Sequence, residues 1–78
     1  MVRANIRNRD NIYLGLIDEI DAGFRIVWNW NMENYPEYDR SGSVRIFDSF
    51  EEACQGVMTV VRDAEITETI FYKGSLKT

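Results

Sequence analysis

FRIVWNWNM, residues 24–32, gives the clearest structural pattern in this sequence, because it alternates apolar and other side chains. One parity of the stretch is entirely apolar: Phe24, Ile26, Trp28, Trp30 and Met32. Side chains of a β-strand point alternately to its two faces, so a period of two is typical of a half-buried strand. We therefore expect a strand whose two tryptophans lie largely buried in the core.

The stretch just before it, NIYLGLIDEI at residues 11–20, predicts a second strand. Apolar side chains recur at alternate positions, and Asp18 interrupts them: Ile12, Leu14, Leu16 and Ile20. Residues 21–23, DAG, provide a short connection with a glycine that tolerates positive φ angles. The two stretches are predicted to form an antiparallel hairpin.

After Met32 the alternation stops. Residues 33–43, ENYPEYDRSGS, are polar and contain Pro36 and Gly42, which predicts a long loop. Residues 43–47, SVRIF, then predict a short third strand with Val44 and Ile46 facing inward. Residues 65–74, EITETIFYKG, predict a fourth strand because β-branched and aromatic residues dominate there.

Residues 48–64, DSFEEACQGVMTVVRDA, predict the single helix. Ser49 and Glu52 have the spacing of a capping box, and Gly56 permits a bulky side chain to approach the helix closely. Apolar residues repeat at the three/four spacing of one buried stripe: Phe50, Ala53, Cys54, Val57, Val61 and Ala64. The expected fold class is α+β, a mostly antiparallel four-stranded sheet with one helix on one face, in the order β-β-β-α-β.

Residues 1–78 are predicted to form a single domain, near the size at which one core only just supports folding. Within it, residues 1–10 either extend the first strand, since Val2, Ala4 and Ile6 alternate, or form a basic arm.

Charge is distributed unevenly along the chain. Residues 1–10 hold three arginines and one aspartate, a net charge of +2, whereas the other 68 residues hold six basic and twelve acidic residues, a net charge of −6. Phosphate binding needs a basic surface, so the acidic body argues against a general nucleic-acid binder and leaves open a basic protein partner. One cysteine, no apolar leader and no membrane-spanning run predict a soluble cytoplasmic protein.

Catalytic and metal-binding patterns are missing from the sequence. The chain has no histidine, which excludes imidazole acid/base pairs and histidine-based triads. Cys54 falls on the apolar helix stripe, where a thiol is normally inert. Cysteine and histidine clusters are lacking, and the acids of residues 33–39 do not have calcium-loop spacing. We predict a non-enzyme without a cofactor or metal ion.

Two groups of residues have no evident structural explanation in the sequence. They are the acids around the first hairpin and the acids and tyrosines of the long loop, which we predict to bind a partner: Asp18, Glu19, Asp21, Glu33, Tyr35, Glu37, Tyr38 and Asp39. The hairpin-end acids are expected to have few structural duties. Exposed tyrosine suits an interface because it brings contact area at low entropic cost. For both tyrosines, packing of the loop itself is the alternative.

The helix entry carries two resemblances. Phe47 to Glu52, FDSFEE, which introduces a helix after a strand in a small acidic chain, resembles phage-encoded inhibitors of the anti-CRISPR type. Asp48 to Ala53 is similar to the helix entry of HicB-type antitoxins, which share the β-β-β-α-β order. The long tyrosine-rich loop departs from that second family. Both resemblances imply a protein that binds and blocks another protein, often one that handles nucleic acid.

The function predicted is therefore a non-enzymatic, anti-CRISPR-like phage protein that occludes a basic, nucleic-acid-handling surface of a partner such as a CRISPR effector complex. One alternative is an antitoxin-like module. Another is a single-stranded nucleic-acid binder that stacks bases on an aromatic sheet face, helped by Arg3, Arg7 and Arg9. Direct binding of nucleic acid and of membranes is not expected.

Overall fold

A computed structural model describes residues 1–29, residue 32 and residues 45–69. The elements, in chain order, are β1 (Val2–Arg7), β2 (Tyr13–Ile20), β3 (Gly23–Trp28), α1 (Phe50–Val60) and β4 (Glu65–Glu68). The strands form one antiparallel sheet in the order β3-β2-β1-β4. The α+β class and the order β-β-β-α-β are confirmed, although the residues that form the strands differ in part from the prediction.

The first strand is the main difference. Val2–Arg7 neither extends the next strand nor forms a loose basic arm, because β1 pairs with β2 on one side and with β4 on the other. Its alternation places Ala4 and Ile6 fully in the core. A strand with neighbours on both sides and two buried side chains is anchored at the centre of the fold.

The hairpin of β2 and β3 is confirmed. Ile20 pairs with Gly23 across the two-residue turn of Asp21 and Ala22. Phe24, Ile26 and Trp28 pack against the core, and Val27 faces the other way with 42% of its surface exposed. Trp28 is half-buried rather than largely buried, and Trp30 lies outside the described residues.

The predicted inner face of β2 is wrong in part, because the alternation is interrupted. Pairing with β1 steps from Ile6↔Gly15 to Arg7↔Tyr13, so one residue of β2 is extra there. Leu14 and Ile17 are buried, whereas Ile12 is 48% exposed and Leu16 pairs with Val27 on the open face. Gly15 is required here, since a Cβ atom would overlap the carbonyl oxygen of Val27.

The predicted third strand at residues 43–47 is also wrong where the structure describes it. Phe47 forms an isolated bridge with Phe24, in which each N–H donates to the other carbonyl, at 2.9 and 2.7 Å. Ile46 is 39% exposed rather than inward, and Val44 lies outside the described residues. Ser49 caps the helix two residues after Phe47, so pairing cannot continue beyond the bridge in that direction.

The helix begins where the sequence predicts and ends earlier. The Ser49 hydroxyl accepts a hydrogen bond from the Glu52 N–H at 3.1 Å, and Val61 is the C-cap. A Cβ atom on Gly56 would lie 2.6 Å from Cζ of Phe47, so glycine allows this ring to pack directly on the helix. The helical stripe completes the core with Ala53, Val57, Val61 and Ala64 buried and with Phe50 and Cys54 packed against them.

Candidate protein-binding surface

Asp18, a predicted partner-binding residue, is engaged inside the protein. Its Oδ1 lies 2.8 Å from the Met1 ammonium, and its Oδ2 accepts from Nε and Nη2 of Arg25 at 3.1 and 3.0 Å. Cross-strand pairing of Asp18 with Val2 and Arg25 brings these cations together. The carboxylate is 15% exposed, so most of its surface is already covered by its own chain.

These contacts change the acidity of Asp18. The hydrogen bond from the Met1 ammonium lowers the pKa of its carboxyl, partial burial opposes that effect, and the Arg25 guanidinium lowers the pKa further. The ionised carboxylate of Asp18 therefore stabilises the folded state. The expectation that the hairpin-end acids have few structural duties is wrong for Asp18, because the sequence does not show which cations the sheet register places beside it.

Glu19 is engaged in a second internal cluster. The carboxylate accepts from Nη1 of Arg3 at 2.7 Å. The Arg3 guanidinium lies 5.6 Å from the ring centroid of Phe24 and 5.5 Å from that of Phe50, and the two rings meet edge to face at 6.1 Å. This cluster ties β1, β2, β3 and the start of α1 together through one partly buried cation. Glu19 thus has a structural duty as well.

Asp21, the third hairpin acid, is exposed in the turn and makes no ion pair with any described residue. It stays available to a partner. The remaining predicted partner-binding residues lie outside the described part of the chain: Glu33, Tyr35, Glu37, Tyr38 and Asp39.

Sequence reasoning missed a different group of acids, which we call the acidic surface: Asp48, Glu51, Glu52 and Glu68. All four are exposed, and none forms an ion pair within the described ranges. Glu68 pairs with Ala4 of β1 and so lies on the helix side of the sheet. Glu51 and Glu52 lie in the first turn of α1, where the partial positive charge of the helix start favours acids, and pairing of β4 with β1 adds Glu68.

Cys54 lies near two acids of this surface, Glu51 and Glu68. Partial burial raises the pKa of its thiol, and the charges of Glu68 and Glu51 raise it further. A thiol held in its neutral form is a poor nucleophile, which agrees with the inert role that the sequence predicts. Among the described residues no group of three potential metal ligands forms, the acidic surface included.

Within residues 1–29 and 45–69, the open face of the sheet, opposite the helix, carries no tryptophan of the kind that the nucleic-acid alternative needs. Phe24 and Trp28 face the core, whereas the open face carries the pair Leu16 and Val27. Tyr13 is already covered by Arg7, whose guanidinium lies 5.7 Å from its ring centroid. The rings of β3 are therefore not offered to bases on this face.

Comparisons of the chain with protein-family models, with curated proteins and with solved structures found no match. Within the described residues, no helix has both the length and the apolar composition that a membrane span requires. The function proposed below is therefore inferred from the arrangement of the side chains.

Proposed function

We propose that this protein is a non-enzymatic inhibitor that binds a basic, nucleic-acid-handling surface of a partner protein and occludes it. The observation that carries the proposal is the separation of its acids into two groups. Asp18 and Glu19 are neutralised by cations of their own chain, whereas Asp48, Glu51, Glu52 and Glu68 are exposed and form no ion pair with any described residue. An exposed acidic surface on a protein of net charge −4 attracts a basic surface and repels nucleic acid.

The first experiment compares two charge reversals that change the net charge equally. Glu51→Lys with Glu52→Lys alters the acidic surface, and Asp10→Lys with Asp63→Lys alters two exposed acids that are not predicted to bind a partner. Each immobilised variant and the wild type is incubated with nuclease-treated bacterial lysate, and the retained proteins are identified by mass spectrometry. We expect a nucleic-acid-binding protein that the wild type and the Asp10/Asp63 variant retain and the Glu51/Glu52 variant loses.

Inhibition is then measured directly. The retained partner is purified, and its binding to labelled nucleic acid is titrated with the wild-type protein and with the Glu51/Glu52 variant. We expect the wild type to displace the nucleic acid and the variant to need at least about tenfold more protein, mainly because association slows. Equal loss of retention in both double variants would show that only total charge matters and would contradict a localised surface.

Residues 33–43, which the sequence predicts to form a loop, supply a second proposed contact. Pro36 restricts the backbone between Tyr35 and Tyr38, which lowers the ordering cost when a partner binds. Tyr35→Ala with Tyr38→Ala is expected to weaken partner binding by more than about 2 kcal/mol, a hot-spot loss, while leaving the melting temperature nearly unchanged. A large fall in melting temperature with unchanged affinity per folded molecule would make these tyrosines structural instead.

A further inference from the structure

The outer edge of β4 presents backbone groups that are not used by the sheet. β4 pairs with β1 alone, and the N–H of Thr69 donates to the carbonyl of Arg3 at 2.8 Å. Successive peptide groups of a strand point in opposite directions, so Glu65 and Thr67 also point at β1. Ile66 and Glu68 therefore point their N–H and C=O groups outward, where no residue that the structure describes pairs with them.

The opposite edge of the sheet, formed by β3, is partly covered by backbone pairing. There the outward groups of Phe24 on β3 are satisfied by both backbone hydrogen bonds to Phe47. β4 has no such bridge among the described residues, and it contains no proline, lysine or bulge that would block an added strand. Its edge is a template for backbone pairing.

A second copy of this chain is a poor occupant of that edge. In a two-fold symmetric antiparallel pairing through Ile66 and Glu68, two Glu65 or two Glu68 side chains become direct or diagonal neighbours on one face. Like charges in such positions destabilise a strand pair. The exposed glutamates that discourage self-pairing would instead attract a strand that carries cations.

We infer that the outer edge of β4 binds an extended basic segment of a partner protein by strand addition, an inference that rests on the protein-binding function proposed above. On an added strand, a residue opposite Glu68 lies on the helix side, beside the acidic surface. A residue opposite Glu65 lies on the open face, because Glu65 pairs with Arg7 there. The favoured segment therefore has lysine or arginine at two positions three residues apart.

The test uses the full chain and a synthetic probe, an eight-residue valine- and threonine-rich peptide with two lysines three positions apart. Amide hydrogen exchange is followed by NMR with and without the peptide. We expect the amides of Ile66 and Glu68 to slow by at least about tenfold, because they gain hydrogen bonds, while the amides of Glu65 and Thr67 change little. A control peptide with glutamates in place of both lysines should not protect them.

Two substitutions of Glu68 distinguish the contribution of its backbone N–H to peptide binding from that of its charge. Glu68→Gln removes the charge and keeps the outward N–H, whereas Glu68→Pro removes both, and proline is tolerated where a strand N–H faces outward. We expect Glu68→Pro to bind the lysine peptide roughly three- to tenfold more weakly than Glu68→Gln, the range for one lost hydrogen bond. The exchange measurement on the wild type does not depend on the folding of either variant.

The outcomes distinguish this inference from the function on which it rests. Peptide binding without protection of Ile66 and Glu68 would overturn strand addition, and so would failure of the peptide to bind at all. Either result leaves the proposed function to be decided by the reversal of Glu51 and Glu52. Protection of both edge amides by the lysine peptide alone supports the inference.

Discussion

The hairpin acids and the helix-start acids carry the same charge in two different settings. Asp18 and Glu19 each accept hydrogen bonds from cations that the pairing of β2 with β1 and β3 brings beside them. Glu51 and Glu52 are exposed at the helix start, whose partial positive charge favours them, and neither forms an ion pair with a described residue. A cluster of acids in a sequence is thus not evidence of a binding surface until the internal cations are located.

The two pairs of acids differ in their surroundings because of the position of β1 in the sheet. β1 carries Arg3 and follows Met1, and it lies between β2 and β4. It neutralises acids on the β2 side, and on the β4 side it pairs with Glu68 without neutralising it. The charge asymmetry of the molecule follows from that sheet order.

The largest expected effect comes from removing the cation of the Glu19 cluster. Arg3→Ala should lower the free energy of unfolding by about 2–3 kcal/mol, since it loses a charged hydrogen bond and contacts with two aromatic rings. The control is Arg9→Ala, because Arg9 is 77% exposed and its nitrogen lies 3.8 Å from Asp63. That change should cost less than about 0.5 kcal/mol. Equal losses in urea unfolding would place the Glu19 cluster among ordinary surface pairs.

Reversing Asp18 tests the other hairpin acid. Asp18→Lys sets a cation beside Arg25 and the Met1 ammonium, and it should lower the free energy of unfolding by about 1–2 kcal/mol. Asp21→Lys, three residues away in the exposed turn, should change it by less than about 0.5 kcal/mol. If both variants unfold at the same urea concentration as the wild type, the ion pairs of Asp18 do not stabilise the fold.

A smaller effect is expected in the pH dependence of stability. The folded-state pKa of Asp18 is lowered, so its contribution is complete above the unfolded value of about 3.9 and is lost as the pH falls through the folded value. The stability difference between the wild type and Asp18→Asn should therefore shrink as the pH falls below about 5. Urea titrations at several pH values measure it, and a constant difference would show that the Asp18 pKa is not lowered.

Local patterns were enough to predict much of the fold. The Ser49 cap, the buried helix stripe and the β2–β3 hairpin all depend on neighbours within a few residues, and the structure confirms them. The place of β1 at the centre of the sheet depends on a partner more than fifty residues away in β4. The alternation of apolar residues shows that Val2–Arg7 can form a strand. It does not show which strands lie on either side.

The candidate site was harder to predict for the same reason. Whether Asp18 is free depends on Arg25 and Met1, and whether Glu51 has an acidic neighbour depends on Glu68. Each of those relations is set by strand register. The extra residue near Leu14 shifts that register without a signal in the apolar pattern except Gly15.

The smallest expected effect is a change in the reactivity of Cys54, whose thiol lies near two carboxylates of the acidic surface. The charges of Glu68 and Glu51 add to partial burial in raising the pKa of this thiol, so replacing both by glutamine should lower that pKa and increase the thiolate fraction. We expect the rate of alkylation by iodoacetamide at pH 7.5 and low salt to rise about twofold. Added salt should raise the wild-type rate toward that of the variant, because it screens the two carboxylates. Asp10→Asn with Asp21→Asn, which removes the same amount of charge elsewhere, is the control and should leave the rate unchanged. If both double variants react equally fast, the effect belongs to net charge, and Glu51 and Glu68 do not form one surface.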